Sequence, residues 1–473
     1  MGEDGGMRRI VAALALVPVL VTAGCTASSK SAKAPGSGSA SSSALPSALA
    51  PSAPATSAAG VGQALTPAAT GAASASAAST GTAAASPTNP SPAARTASTA
   101  PSKPAGPAAG EPGDNTASKS TGPGPSASAL PVDQVAPAAK MVLVKTITGH
   151  LDEKSVVSSQ TGLFFAQNMM YLHTMNVYDR NYHLVKIIPD SVNLASLGYP
   201  QYPGTYKGAP VEAAFTPDHK YVYVSNYSMY GAAPFTREGS DTCTLGDDYP
   251  DSFVYRVNLA TLTIDQAIEV GAVPKFVAVT PNGKYLLVSN WCSYSESIID
   301  TASAKVITTI PLGPYPRGIA IDPVSGTAYV AVMGSTRIAA INLSTFAVSW
   351  ISNVGSAPRH LVMSADGHWL YATINGSGLV DKISLITRTV VARIATGRAP
   401  RSMTISPDGA YIYVVNYMSN TMSKVRTSDM HIVQVVPTNP DPIGITYDNA
   451  THRVWVACYS GSIMVFQDGT PTS

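Results

Sequence analysis

The chain has 473 residues, of which 45% are hydrophobic and 12% charged, and its formal net charge is +2. A balance that near neutrality argues against nucleic acid and against a strongly acidic partner, since both call for a concentrated basic surface. The sequence contains no Gly-x-Ser-x-Gly, His-Glu-x-x-His, phosphate loop or Cys-x-x-Cys-His, so no common hydrolase, zinc, nucleotide or haem motif is present and no cofactor is expected.

The first feature along the chain is "MRRIVAALALVPVLVTAGC", residues 7–25. Two arginines lead into an apolar run of about a dozen residues, short of the ~20 that a membrane-spanning helix needs, which fits a secretory signal. The small residues before Cys25 resemble the lipobox of bacterial lipoproteins. That resemblance implies a signal peptide over residues 1–24, lipidation of Cys25, and attachment to the extracytoplasmic face of the cell membrane. The alternative is ordinary signal cleavage with Cys25 incidental. Residues 25–139 are nearly all Ala, Ser, Pro, Gly and Thr, with no aromatic side chain. Such a segment cannot offset its conformational entropy by burying apolar surface, so a disordered tether is expected. At 5–6 Å × √n its root-mean-square span is about 60 Å.

From residue 140 to 473 the composition turns to Val, Ile and Tyr, and a phrase recurs. It reads "GAVPKFVAVTPNG" from Gly271, "GPYPRGIAIDPVSG" from Gly313, "GSAPRHLVMSADG" from Gly355 and "GRAPRSMTISPDG" from Gly397. Taking its proline as an anchor, Pro274, Pro316, Pro358, Pro400 and Pro442 follow one another at 42 residues. Pro210 precedes Pro274 by one period plus a 22-residue insertion, and Asp152 precedes Pro210 by one period plus 16. Thirteen residues past the seven anchors stand Phe165, Tyr223, Leu287, Tyr329, Tyr371, Tyr413 and Trp455, a column expected to be core. Runs such as "KYVYVSN" and "AYIYVVN" alternate with the period of a strand. Seven copies near 42 residues predict an all-β fold, a seven-bladed propeller of four-stranded blades.

The alternating runs resemble the YVTN-type β-propeller repeat of bacterial secreted and surface proteins, a group close to the lactonase-like seven-bladed propellers. The resemblance spans residues 140–473 and implies fold more than function. The seventh copy lacks a fourth strand, whereas "MVLVKTITGHLD" (141–152) aligns with "TVVARIATGRAP" (389–400). Residues 141–148 are therefore expected to pair with 462–467 and close the ring, removing exposed edges.

Strand order puts both insertions, residues 191–206 and 228–251, on one face, the top. Loops of that length on a regular scaffold are commonly functional. Counting one past each anchor gives Glu153, Val211, Lys275, Arg317, Arg359, Arg401 and Ile443. Four consecutive blades thus aim a cation at the channel mouth, with His360 beside them and Glu153 and Glu212 opposite. Such a funnel attracts a carboxylate, phosphate or acidic sugar, or else its cations pair with acids of neighbouring segments. Seventeen past the anchors stand Met169, Tyr227, Trp291, Met333, Asn375, Tyr417 and Tyr459. This apolar ring either faces a glycan or protein, or lies under the insertions as a local core.

The Asn column, Asn168, Asn226, Asn290 and Asn416, is expected to be structural. Asp241, Asp247, Asp248 and Asp251 in the second insertion allow a weak Ca²⁺ alternative, with a spacing that fits no known loop. A solvated acidic loop, or one paired with the cations, is the other reading. Cys243 and Cys292 fall on the same face of adjacent blades and are expected to form a disulfide, leaving Cys458 buried and free. The expected function is an extracytoplasmic binding or scaffolding module. Its ligand is an envelope glycan, peptide or protein with an anionic group, held by Lys275, Arg317, Arg359, Arg401, His360, Tyr227, Trp291, Tyr417 and Tyr459. The alternative, by fold analogy alone, is a lactonase-type hydrolase in which those arginines polarise a carbonyl and His360 activates water.

Overall fold

A computed structural model describes residues 140–469. The expected signal peptide, Cys25 and the tether lie outside these residues. Seven antiparallel sheets are arranged as blades; six have four strands, and the second has five. The inner strands are Glu153–Ser158, Thr205–Phe215, Pro274–Val279, Pro316–Ile321, Pro358–Met363, Pro400–Ile405 and Pro442–Asp448. Each packs on the next, and the seventh returns to the first, so the ring is complete.

Closure comes from Val142–Thr148, which pairs antiparallel with Ser462–Gln467, from Val142 opposite Gln467 to Thr148 opposite Ser462. The last blade is thereby made from both ends of the repeat region. A second tie follows the last strand: the Asp468 carboxylate accepts from Lys424 Nζ at 2.6 Å and from the Tyr413 hydroxyl, both in blade 6. Apolar layers between blades supply the bulk of the stability. The column thirteen past the anchor is buried throughout, and Trp455 of blade 7 stacks on Phe164 of blade 1 at 3.8 Å between centroids.

The recurring phrase is a joint between strands. Its first Gly leaves room for the Asn column: a Cβ on Gly397 would lie 2.7 Å from Asn416 Cγ, and one on Gly271 2.9 Å from Asn290 Cγ. Those amides tie the second strand to the third, Asn416 donating to Thr421 Oγ1 and Ser423 Oγ at 3.1 and 2.9 Å. The residue before the anchor is left-handed in blades 3 to 7, as Val273, Tyr315, Ala357, Ala399 and Asp441. That turn aims its carbonyl at the amide seventeen past the anchor, as in Trp291 to Val273 (3.0 Å), Tyr417 to Ala399 (3.1 Å) and Tyr459 to Asp441 (3.0 Å). The pairing register then slips directly after the proline, so the cation occupies a bulge. Bulges re-aim side chains, here into the channel.

The first insertion is more ordered than a loop. Ser191–Asn193 pairs with the start of Thr205–Phe215 as a fifth strand, joined through a short 3₁₀ turn, Leu194–Leu197. Its Tyr202 and Tyr206 pack edge-on against Phe235 of the second insertion. The two insertions thus share a small apolar core with Leu194, Met229, Phe253 and Tyr255.

Two outcomes test this architecture. Deleting residues 140–149 leaves Ser462–Gln467 as an open edge, and the single cooperative thermal transition should be lost; a normal melt would contradict closure by this strand. Gly397→Ala should cost about 1–3 kcal/mol by overpacking, read by urea denaturation. Because the obstruction is the Asn416 side chain from its Cβ (2.8 Å) outward, Gly397→Ala and Asn416→Gly should be less than additive.

Candidate functional site at the channel neck

The bulge register corrects the composition of the cation ring. In blade 3, Pro274 pairs with Asn290 and Phe276 with Ser289, which leaves Lys275 in the bulge. In blade 1 the same partners, Asn168 and Gln167, face Glu153 and Ser155, so the bulged residue is Lys154. Glu153 takes the proline's place instead. It is buried, near Cys458 and Ser462, and burial pushes its carboxyl up to about 7. The ring is therefore Lys154, Val211, Lys275, Arg317, Arg359, Arg401 and Ile443: five cations rather than four. Counting from the anchor misplaced blade 1 because Asp152, unlike a proline, does not fix the register.

The aromatic column serves this ring directly. Lys275 Nζ lies 4.2 Å from the Trp291 ring and 5.0 Å from that of Tyr227. Arg401 stacks over Tyr417 at 4.0 Å, and Lys154 lies 4.8 Å from the Tyr459 ring and donates to its hydroxyl. Aromatic faces partly replace the water these cations lose on burial. The column is consequently not a continuous exposed face. Trp291 is 6% exposed and stacked on Tyr315 at 4.5 Å, in a cluster with Tyr227, Tyr294, Met333 and the cystine Cys243–Cys292. Tyr417 and Tyr459 are half-buried and line a cavity of about 440 Å³ with Lys154, Arg401, Tyr227 and Asp241. Met170, Tyr171 and Met418 are exposed nearby.

The four acids of the second insertion do not converge. Asp241 alone reaches the ring, where it pairs with Lys275. Asp247 accepts from the Thr244 amide at 2.7 Å and lies near Arg237, and among the described residues no three His, Cys, Asp or Glu side chains cluster as a metal site. The loop is fixed by the disulfide, by Trp291 Nε1 donating to the Asp241 carbonyl (3.2 Å), and by the Tyr294 and Tyr315 hydroxyls donating to the Cys243 carbonyl (both 2.8 Å). Cys458 is the free, buried cysteine of the described residues, and burial pushes its thiol up to about 12.

The ring carries more charge than it neutralises. Among the described residues, Asp241 is the one carboxylate within ion-pair distance of a ring cation. Arg317 donates to the Lys275 carbonyl at 3.3 Å, while Arg359, 4% exposed, keeps Nη2 without a partner. Burial, and then the neighbouring guanidiniums, hold Arg359 well below its usual range. Burial lowers Lys275 to about 7 against the pull of Asp241, and places Lys154 well below the usual amine range. Asp241 itself is held below the usual carboxylate range chiefly by Lys275. One past each ring position on the inner strands stand Ser155, Glu212, Phe276, Gly318, His360, Ser402 and Gly444. Glu212 rises to about 7 by burial against the attraction of Arg317. Burial and the adjacent arginines drop His360 to about 3, so it is neutral; its Nδ1 has no partner among the described residues, and its ring meets Phe276 edge-on at 5.2 Å. A larger cavity, about 630 Å³, opens on the opposite face among turn residues such as Asn282, Asp322 and Ser325, away from every ring cation.

A family model described as YNCE-like beta-propeller matches residues 310–461. Among solved structures, the Kuenenia stuttgartiensis hydrazine synthase superposes with a TM-score of 0.54 at 17% identity, over 69% of this chain and 98% of that one. No curated protein matches the sequence. The chain is a β-propeller protein. At that identity the likeness to the synthase is one of fold alone.

The neck predicts an unusual pH dependence of stability. Between pH 4.5 and 7 the folded state keeps protons on Glu153 and Glu212 that the unfolded chain has released, so stability falls as pH rises. Between 7 and 10.5 the unfolded chain keeps a proton on Lys275 that the folded state has lost, so stability rises again. Glu153, Glu212 and Lys275 thus contribute a minimum near pH 7, opposed below pH 6.5 by His360, which the fold holds neutral while the unfolded chain binds a proton. Denaturation midpoints at pH 5, 7 and 9.5 should show it by difference: Glu212→Gln should gain on the unsubstituted protein from pH 5 to 7, and Lys275→Met should lose on it from pH 7 to 9.5.

Proposed function

We propose that this propeller is an extracytoplasmic binding module, carried from a lipid anchor at Cys25 by a flexible tether, that holds the anionic end of an envelope glycan, peptide or protein in the channel neck. One observation carries the reading: among the described residues, five inward basic side chains are matched by a single contacting carboxylate, with a guanidinium nitrogen of Arg359 buried and unpartnered. Leaving a buried donor unpaired costs about 1–3 kcal/mol, more when it is charged, and a fold gains nothing from repeating that cost on consecutive blades. An incoming oxyanion supplies the missing partner and is drawn in by the enclosed positive field. The half-buried Tyr417 and Tyr459 then flank whatever the anion is attached to.

The hydrolase alternative draws on His360 beneath the arginines. Against it, a general base is normally oriented by a third group, and the Nδ1 of this imidazole has no such partner. The test uses full-length protein and a panel of phosphate- or carboxylate-bearing saccharides and peptides beside their neutral counterparts. Acid-bearing members should bind, and Arg317→Ala with Arg359→Ala should weaken them at least tenfold. Equal binding of neutral members would overturn the reading. Lactone turnover abolished by His360→Ala would replace it with the hydrolase.

A further inference from the structure

Resting on that anion-binding reading, a sharper inference concerns which anion. The seat that a ligand oxyanion would want is already taken. Asp241, projecting from the second insertion, places its carboxylate on Lys275 and in the field of Lys154 and Arg317. It approaches from the loop side with its side chain 69% exposed, and among the described residues its carboxylate is held by the ion pair and a weak contact with the Tyr227 hydroxyl (3.4 Å).

We propose that Asp241 is an internal stand-in for the ligand, and that the ligand which displaces it carries a terminal phosphate monoester. The argument is one of exchange. A ligand carboxylate arriving at Lys275 would replace one carboxylate by another of equal charge. It would also compete with a group tethered beside its seat, whose effective concentration is in the millimolar range or above. That exchange has no electrostatic gain. A phosphate monoester brings close to two negative charges at neutral pH and three terminal oxygens, so it adds charge where the ring has a surplus. Donors for the extra oxygens stand around the seat: Lys275 Nζ, Lys154 Nζ, the Arg317 guanidinium, and the Tyr459 hydroxyl, which accepts from Lys154 and so has its own proton to give. The organic remainder has the cavity lined by Tyr417 and Tyr459 to occupy.

The loop survives losing this ion pair, because the disulfide and the bonds to the Asp241 and Cys243 carbonyls do not involve the carboxylate. Asp241→Asn is therefore a clean probe. Calorimetric titration of the full-length protein with inorganic phosphate, a hexose 6-phosphate, the matching hexuronate and the neutral hexose decides the matter. Both phosphates should bind, the hexose phosphate at least tenfold more tightly than the hexuronate. Asp241→Asn should tighten the phosphates several-fold and narrow the gap to the hexuronate, since the competitor is gone. Hexuronate binding as tight as hexose phosphate would overturn the phosphate class and leave the anion-binding reading intact. Weaker phosphate binding by Asp241→Asn would overturn the stand-in role. If no acidic probe binds either protein, both this inference and the reading beneath it fall.

Discussion

One backbone hydrogen bond organises the top of this propeller. The carbonyl of the left-handed residue before each anchor accepts the amide seventeen positions past it, in blades 3 to 7 alike. A non-glycine residue in that conformation costs of order 1 kcal/mol, so the geometry persists because the surrounding joint demands it. Its effect is to bring the start of the inner strand beside the turn that leaves the second strand. The residue after the proline and the aromatic after the Asn column then emerge side by side. A cation in the bulge and an aromatic in the turn become neighbours through main-chain geometry, before any attraction between them is counted.

That placement is what allows charge to sit in the neck. Cations this buried lose much of their hydration, which is why Lys275, Lys154 and Arg359 are all depressed below their ordinary ranges. Aromatic faces, one carboxylate and main-chain carbonyls return part of the loss. The rest remains as an unrelieved field in a channel with protein walls. A folded chain selected for stability alone would place apolar residues here, as it does at Val211 and Ile443. Blade 7, with Ile443 at the bulge, shows that the joint works without a charge, so the charges in blades 3 to 6 are separable from construction.

What the sequence made legible follows from what repeats. A 42-residue period, a buried aromatic column and a missing fourth strand each recur or fail in register, so blade number and ring closure could be read directly. Gly397 and Asn416 were visible as separate columns; their mutual dependence, one occupying the space the other vacates, appeared only in three dimensions. Blade 1 was misread by one residue. Without a proline, nothing in the local sequence distinguishes Glu153 from Lys154 as the bulged position, and the slip of a strand by one residue reverses which side chain faces the channel. Trp291 was left between an open face and a local core for a related reason: periodicity places a residue on a face and does not say whether an insertion folds over it.

The insertions break the ring's symmetry in a way that gives the neck a direction. Both belong to blade 2, and the second, packed on the first, covers the aromatic turns of blades 2 to 4, where Trp291, Tyr294, Tyr315 and Met333 form a core around the cystine. Blades 6, 7 and 1 carry no such cover, and the cavity beside the cations is lined from that side by Arg401, Tyr417, Tyr459 and Lys154. Asp241 reaches Lys275 from the covered side. Entry from the open side and occupation from the covered side meet at the same cations. The second insertion can therefore set the strength of the neck's field without obstructing the way in, while its disulfide keeps Asp241 within reach of Lys275.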